Sequence, residues 1–218
     1  MICISLGAGD YKTCRRILAK VPFAEIRLDR VSLTLEEVNK LFSLPRRLIA
    51  TCRPGRFSEK TRETLLHEAI AAGASYVDVE LETSPGLTER LIRDARSRGC
   101  KAVVSYHNFR LTPGAAVLSR KVAACFDRGG DIAKIACRVR TDSEVRRILS
   151  LYIPANKRRG SLLALGMGKL GTMTRIMAPL LGAPFTYAAA DGNAPTASGQ
   201  LDRKTMELIY RILRGGGR

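Results

Sequence analysis

Short apolar runs alternate with amphipathic segments along almost the whole chain. Eight of these runs hold roughly 4–8 residues that are mostly aliphatic and often β-branched, which is typical of buried strands. The predicted strands cover residues 2–6, 23–28, 48–52, 76–81, 102–106, 132–136, 161–165 and 184–188. Their starts are roughly 20 to 30 residues apart, which leaves room for one strand, one helix and two loops in each unit.

The segments between these runs carry apolar residues at helical spacing. In the clearest case, Leu65, Ala69 and Ile70 fall on one face of a helix with 3.6 residues per turn. Gly73 and Gly99 stand where a glycine commonly ends a helix. The predicted helices include 35–42, 59–72, 86–98, 115–128 and 143–152.

Eight strands that alternate with helices in a chain of 218 residues predict a (β/α)8 barrel, the TIM-barrel architecture. An open, doubly wound sheet is the alternative, because the spacing does not show whether the sheet closes. No stretch rich in Pro or Ser divides the chain, so we predict one barrel domain over residues 1–214. Residues 215–218 read Gly-Gly-Gly-Arg and are expected to form a flexible tail.

The composition is that of a folded globular protein. Hydrophobic residues make up 45% and charged residues 26%, which excludes a disordered or collagen-like chain. No apolar run approaches the roughly 18 residues of a membrane span, and no basic leader of a signal peptide begins the chain. We therefore expect a cytoplasmic protein with no membrane partner. The six cysteines form no C-x-x-C pair, which predicts reduced and mostly buried thiols.

The charge balance is strongly basic. With 37 basic and 20 acidic residues the formal net charge is +17, a feature that nucleic-acid-binding proteins share. The basic residues are spread through the chain, however, with no basic tail and no arginine-glycine tract. A solvated basic surface is therefore the favoured interpretation. A nucleic-acid partner is not expected, and a basic nucleic-acid-binding module is kept as an alternative.

Candidate functional residues lie at or just after the ends of predicted strands, the face on which barrel enzymes build their active sites. The first group is the segment 25–29, in which Glu25, Arg27 and Asp29 alternate with two aliphatic residues. Strand geometry puts the three charged residues on one face. If the aliphatic residues pack against the helices, the charged groups point into the barrel and need charged or hydrogen-bonding partners there.

Lys134 and His107 are the candidates for covalent and acid–base chemistry. Lys134 lies inside the apolar run 132–136, where a lysine needs a partner and where a neutral amine can act as a Schiff-base nucleophile. His107 directly follows the predicted strand 102–106, in a position suited to acid–base work. The other histidine, His67, falls within a predicted helix and is expected to have a structural or surface role. These two histidines make no metal site.

Residues 166–171 match the pattern G-x-G-x-x-G between a predicted strand and a helical segment. Too little of the chain follows Gly171 to complete a dinucleotide-binding domain. We therefore interpret the segment as a glycine-rich turn that presents Arg175 to an anion.

These residues occur in the order and approximate spacing of a known family. The motifs are EIRLD at 25–29, TCR at 51–53, SYHNF at 105–109, KIA at 134–136, the segment 167–175 and TASGQ at 196–200. The motifs span nearly the whole chain. In their order and spacing, the chain resembles type I 3-dehydroquinate dehydratase. The resemblance implies a (β/α)8 barrel of the shikimate pathway, usually a homodimer, that needs neither a metal nor an organic cofactor.

The resemblance also implies a role for each matching residue. Lys134 looks like the lysine that forms a Schiff base with the C3 carbonyl of 3-dehydroquinate, and His107 resembles the family's general acid/base. Arg175 is similar to the arginine that holds the substrate carboxylate. The remaining residues at substrate-binding positions are Ser5, Glu25, Arg27, Arg53, Met167, Tyr187, Thr196 and Gln200.

The chain departs from the family pattern at a few positions. Thr196 stands where many members have serine, and Tyr187 where they have phenylalanine. Many members also carry Glu-Gly-Gly shortly after the residue matched by Arg53, and that glutamate supports the catalytic histidine. Here the stretch reads Pro-Gly-Arg-Phe-Ser-Glu, which makes Glu59, in a different register, a candidate substitute.

The expected reaction is the elimination of water from 3-dehydroquinate to give 3-dehydroshikimate, which makes the chain a carbon–oxygen lyase. The alternative from the same chemistry is a class I aldolase-like barrel, which would use Lys134 to cleave a C–C bond. The nucleic-acid-binding alternative predicts an affinity that falls steeply with salt and does not depend on Lys134.

Overall fold

The computed structural model describes residues 1–153, 160–192 and 194–215. Strands and helices alternate throughout this part of the chain. The strands are β1 (Ile2–Leu6), β2 (Phe23–Arg27), β3 (Arg47–Thr51), β4 (Tyr76–Glu80), β5 (Lys101–Asn108), β6 (Ile132–Arg138), β7 (Ser161–Met167) and β8 (Thr186–Ala189). The helices are α1 (Tyr11–Leu18), α2 (Leu35–Phe42), α3 (Glu59–Ala71), α4 (Pro85–Ser97), α5 (Ala115–Asp127), α6 (Asp142–Ser150), α7 (Thr172–Leu180) and α8 (Arg203–Leu213). The predicted tail lies, apart from Gly215, outside the described residues.

All eight strands belong to one parallel sheet whose order is β7-β6-β5-β4-β3-β2-β1-β8. The pairing of the first strand with the last curves the sheet round, and α7 spans from β7 to β8, the two strands at the remaining seam. A doubly wound sheet would reverse its strand order partway. The predicted single-domain (β/α)8 barrel is therefore confirmed.

The two faces of the strands lie in different environments, one against the helices and one inside the barrel. Ile4, Ala24, Ile26 and Ala50 face outward and pack beneath the helices, within one of the two large hydrophobic clusters of the protein. The inward face of the barrel is apolar near the amino ends of the strands. There Phe23 and Phe185 meet edge to face with ring centroids 5.1 Å apart. Polar residues occupy the inward face above this aromatic floor, at the carboxyl ends.

Local sequence signals explain where the helices begin and end. Thr34 and Thr141 each form a reciprocal capping box with a glutamate three residues later. Gly73 and Gly99 have φ of +110° and +70°, a backbone conformation that glycine adopts without strain. Both helix ends predicted from these glycines are therefore confirmed to within one residue.

The observed strand ends lie within two residues of the predicted ones, and two of the differences have a clear structural reason. Strand β5 continues to Asn108, so His107 lies within the strand and not in the loop after it, because His107 pairs with Ala136 of β6. Strand β8 begins at Thr186, where pairing with Ile2 begins, and not at Pro184. A proline has no N–H to donate to a neighbouring strand, which accounts for the late start.

His67 and the six cysteines, which lie away from the barrel mouth, agree with the predictions made for them. His67 Nδ1 lies 2.7 Å from Asp94 Oδ2 and connects α3 to α4 at the surface, as a structural histidine would. All six cysteines are buried. Within the described ranges, no helix is long and apolar enough to cross a membrane, and no three His, Cys, Asp or Glu side chains are grouped so that they could hold a metal ion.

Candidate active site

A cavity of about 420 Å³ opens at the carboxyl ends of the strands. The predicted site residues that line it are Glu25, Arg27, Arg53, His107, Lys134, Met167, Arg175, Tyr187, Thr196 and Gln200. Ser5 lies directly behind them. A larger cavity of about 610 Å³ lies against α8 and is lined by none of these residues. The structure thus brings the predicted catalytic residues and the predicted substrate-binding residues to one place.

Lys134 projects into this cavity from the middle of β6 and is only 5% exposed. Its Nζ donates hydrogen bonds to Asp78 Oδ2 at 2.8 Å and to the Tyr187 hydroxyl at 3.1 Å. Glu25 Oε1 lies 3.5 Å from the same nitrogen. The lysine therefore meets the requirement that a buried amine be paired and hydrogen-bonded.

Asp78 on β4 is the central carboxylate of the site, and the sequence analysis missed it. It receives hydrogen bonds from Lys134, from Arg53 Nη2 at 2.9 Å and from Ser105 Oγ at 2.6 Å. Burial alone would raise the pKa of Asp78, but Arg53 and Lys134 beside it hold that pKa well below its usual range. Asp78 is therefore a fixed negative charge that orients both cations.

Glu25 is held in place by short hydrogen bonds from neighbouring strands. Ser5 Oγ donates to it at 2.6 Å and Thr51 Oγ1 at 3.0 Å. Thr196 Oγ1 lies 2.8 Å from Ser5 Oγ, and the Thr196 N–H donates to Gln200 Oε1 at 2.9 Å. These hydrogen bonds connect the loop before α8 to the barrel.

Arg27 and Asp29 form a two-point ion pair at the rim of the cavity. Arg27 Nε donates to Asp29 Oδ1 at 3.0 Å, and Nη2 donates to Oδ2 at 2.7 Å. The alternation predicted for segment 25–29 is confirmed, since Ile26 and Leu28 are buried in the outer core. Paired in this way, Arg27 presents a rigid donor edge to the cavity.

His107 enters the cavity beside Arg53 and below Phe109. Arg53 Nη2 is 3.5 Å from His107 Nε2, and the exposed Phe109 ring stacks on the imidazole at a centroid distance of 5.9 Å. Burial lowers the pKa of His107 well below its usual value, and Arg53 and Lys134 lower it further. The imidazole is therefore neutral, the form that can accept a proton.

Glu80, the last residue of β4, is the carboxylate that stands beside His107. Its Oε1 lies 3.5 Å from His107 Nδ1 and 3.3 Å from Arg53 Nη1. Burial raises the pKa of Glu80. The suggestion that Glu59 takes this place is wrong, because Glu59 begins α3 and accepts a hydrogen bond from Ser84 Oγ outside the cavity.

A signal for Asp78 and Glu80 was present in the sequence. Tyr76-Val77-Asp78-Val79-Glu80 shows the same alternation of charged and aliphatic residues as segment 25–29. Both acids therefore share the inward face of β4. The carboxylate partners that Lys134 needs could have been sought there.

Arg175 reaches the cavity from α7 and is only 3% exposed. Among the described residues, its guanidinium has no ion pair, and its buried Nε has no hydrogen-bond partner. Burial lowers the pKa of Arg175 to about 10. A buried arginine without a counter-ion, facing a cavity, is arranged to receive an anion from outside.

The glycine-rich turn before α7 is explained by close backbone packing. Gly168 has a φ of +93°, and its N–H donates to Ser198 O at 3.1 Å. A Cβ on Gly171 or Gly199 would clash with the backbone of Gly166 or Gly168. The turn therefore packs against itself and against the 196–200 loop, and it places Met167 and Arg175 at the cavity wall.

Comparison with known proteins agrees with this arrangement. The family model described as "Type I 3-dehydroquinase" matches residues 2–216. The chain belongs to the type I 3-dehydroquinase family. The family and the fold predicted from the sequence motifs are both confirmed.

Relatives of this family cover nearly the full chain. A 3-dehydroquinate dehydratase of Desulfotalea psychrophila is 32% identical over 219 residues, covering 96% of each chain. One of Dehalococcoides mccartyi is 37% identical over 197 residues, covering 87% of this chain and 85% of the relative. The crystal structure of 3-dehydroquinate dehydratase from Geobacillus kaustophilus superposes with a TM-score of 0.86 at 24% identity, covering 100% of this chain and 92% of that one.

Proposed function

We propose that this type I 3-dehydroquinase family member eliminates water from 3-dehydroquinate to give 3-dehydroshikimate through an imine on Lys134. The observation that carries the proposal is a buried, ion-paired lysine in one cavity with a neutral histidine and an arginine that has no counter-ion. In the proposal, the lysine reacts with the substrate's ketone, the histidine takes a proton from its acidic C–H bond, and the arginine binds its carboxylate.

The cavity supplies donors and acceptors for a hydroxylated monocarboxylate. In the proposal, Arg175 binds the carboxylate through its planar fork. Glu25 and Arg27 bind hydroxyl groups, with Gln200 and Thr196 beside them on the loop before α8. Met167 gives the wall an apolar surface against the ring carbons of the substrate.

The imine makes the elimination accessible. When the Lys134 nitrogen replaces the C3 oxygen, the resulting iminium withdraws electrons from the C2–H bond and makes it acidic. His107, neutral and in the same cavity, takes the C2 proton. The electron pair moves into the ring, the C1–O bond breaks, and His107 returns a proton so that the hydroxyl leaves as water.

Product analysis tests the proposed reaction. Purified protein and 3-dehydroquinate should give a conjugated enone with ultraviolet absorbance, whereas an aldolase would give two fragments. Two fragments, or no change in the substrate, would refute the dehydratase assignment. The assay also covers the nucleic-acid alternative, since such a module would leave 3-dehydroquinate intact.

Arg175→Ala is expected to weaken substrate binding by roughly 1.5–3 kcal/mol, about 10- to 150-fold, because a charge-assisted bond to the carboxylate is lost. Arg175→Lys keeps the charge but loses the planar fork, so it should weaken binding to a smaller degree. Calorimetry with the substrate measures both effects, and NAD serves as a control ligand that should bind neither variant nor the wild type. Unchanged substrate affinity in Arg175→Ala, or tight NAD binding by the wild type, would count against this role.

Glu80→Gln is expected to reduce kcat by about tenfold or more with little change in KM, because in this proposal the carboxylate 3.5 Å from Nδ1 orients the His107 ring. Removing a nearby negative charge also disfavours imidazolium, so the pKa of His107 falls and the acid limb of the pH–rate profile moves to lower pH. The matched control is Glu59→Gln, which should leave kcat and the profile unchanged. A profile shifted by Glu59→Gln and not by Glu80→Gln would reverse the assignment.

The cytoplasmic location expected from the sequence and the homodimer that the family resemblance implies both stay predictions. The outer surface of α8 carries Leu208, Ile212 and Leu213 in exposed positions, which is consistent with a subunit contact there.

A further inference from the structure

Lys134 Nζ donates hydrogen bonds to Asp78 and to Tyr187 on β8. Within the described part of the chain, Tyr187 is the one neutral side chain that accepts from it. Its hydroxyl accepts from Nζ at 3.1 Å, and the same nitrogen lies 4.5 Å from the ring centroid. The hydroxyl therefore lies against the nitrogen that reacts in the proposed imine mechanism.

The proton of the Tyr187 hydroxyl is available to a substrate. Among the described residues, the hydroxyl accepts one hydrogen bond and donates none. The ring packs edge to face on Phe185, which belongs to the aromatic floor, at a centroid distance of 5.5 Å. Tyr187 lines the cavity, where a ketone that approaches Lys134 also approaches this hydroxyl.

We propose that the Tyr187 hydroxyl is a catalytic proton relay that carries protons from the Lys134 nitrogen to the C3 oxygen of the substrate during imine formation, and back during imine hydrolysis. This inference rests on the proposed imine mechanism. It divides the proton transfers between two residues, with Tyr187 acting at C3 and His107 at C2 and C1.

The relay balances without any other reactant. The Lys134 ammonium gives a proton to the Tyr187 oxygen while the Tyr187 proton moves to the C3 carbonyl oxygen. The free amine then forms the C–N bond, giving a protonated carbinolamine. A second relay moves one more proton from nitrogen to the C3 hydroxyl, the C–O bond breaks, and water leaves. Three N–H protons become one on the iminium and two on the water, and the charge stays +1 throughout.

The surroundings of Tyr187 suit a group that passes protons without keeping a charge. Burial raises the pKa of Tyr187 well above its usual value, and Glu25 raises it further, so the neutral phenol is restored after each transfer. His107 Nε2 contacts Arg53 Nη2, whereas the Tyr187 hydroxyl contacts Lys134 Nζ. Because the C3 oxygen must approach Lys134 Nζ, Tyr187 is better placed than the imidazole to exchange protons with that oxygen.

Tyr187→Phe removes the hydroxyl and retains the ring against Lys134. We expect the rate of imine formation to fall by about 100-fold, the scale of general acid–base catalysis. The measurement mixes the variant with 3-dehydroquinate, quenches with borohydride at increasing times, and follows the reduced adduct by intact mass. The matched control is Tyr106→Phe, which also removes one hydroxyl, from a tyrosine that contacts Asn108 and Lys121. Its rate should equal that of the wild type.

Binding of quinate, which carries a hydroxyl in place of the C3 ketone, reports whether the variant's site is intact. Slow adduct formation with unchanged quinate affinity supports the relay. Adduct formation at the wild-type rate would overturn it, as would a loss of quinate affinity that matches the loss of rate, because Tyr187 would then only bind substrate. If the wild type itself forms no adduct, the proposed imine mechanism fails, which is a separate result.

Discussion

Lys134→Ala is expected to form no borohydride-stable adduct with 3-dehydroquinate and to lose turnover by about 10⁴-fold or more, the scale of losses seen when an enzyme nucleophile is removed. An imine needs a primary amine, and Lys134 supplies the one that projects from the inner face of β6 into the cavity. Intact mass spectrometry after reduction measures the adduct, and peptide mapping locates it.

Two further variants make this result specific. Lys169→Ala removes a lysine of the glycine-rich turn and should leave trapping unchanged. Lys134→Arg keeps a positive charge between Asp78 and Glu25 but cannot form the imine. Lys134→Ala removes the cation and leaves two buried carboxylates partly uncompensated, which costs about 3–5 kcal/mol of folding stability. Because Lys134→Arg retains the charge, it distinguishes the loss of imine chemistry from a loss of folding. An adduct that persists in Lys134→Ala and maps to Lys169 would contradict the assignment.

The barrel itself was predictable because each of its signals is local. The alternation in segment 25–29 requires only that neighbouring side chains point to opposite faces of a strand. The turn glycines at 73 and 99 require only a backbone with positive φ. Repeated eight times along the chain, such signals specify strands, helices and their order. They do not show that β1 pairs with β8, which distinguishes a barrel from an open sheet.

The partners of the reactive groups were less predictable because they depend on register between distant strands. Asp78 lies 56 residues from Lys134 in sequence, yet its carboxylate accepts a hydrogen bond from Lys134 Nζ. The register pairs Thr51 with Asp78, Glu80 with Ser105, and Ser105 with Lys134, and so fixes how far along the barrel each of these side chains lies. The sequence marks Asp78 and Glu80 as inward-facing acids, but only the register shows which base each one meets.

His107→Ala is expected to slow turnover by roughly 100-fold or more while leaving imine formation intact, because the group that takes the C2 proton is gone. The imine should therefore accumulate, and borohydride should trap a larger fraction of the enzyme during turnover than in the wild type. His67→Ala is the matched control, since His67 connects α3 and α4 away from the cavity and should leave turnover unchanged.

The pH dependence of the same pair of proteins gives a second readout. As a general base His107 must be neutral, which it is above its pKa, and burial has lowered that pKa. Wild-type kcat/KM should therefore hold its value below the ordinary histidine pKa of about 6.5 and fall only at more acidic pH. In His107→Ala the limb that belongs to His107 should disappear, leaving a low rate that does not follow this titration. Near-normal turnover in His107→Ala, or an acid limb that survives the substitution, would show that another group takes the C2 proton.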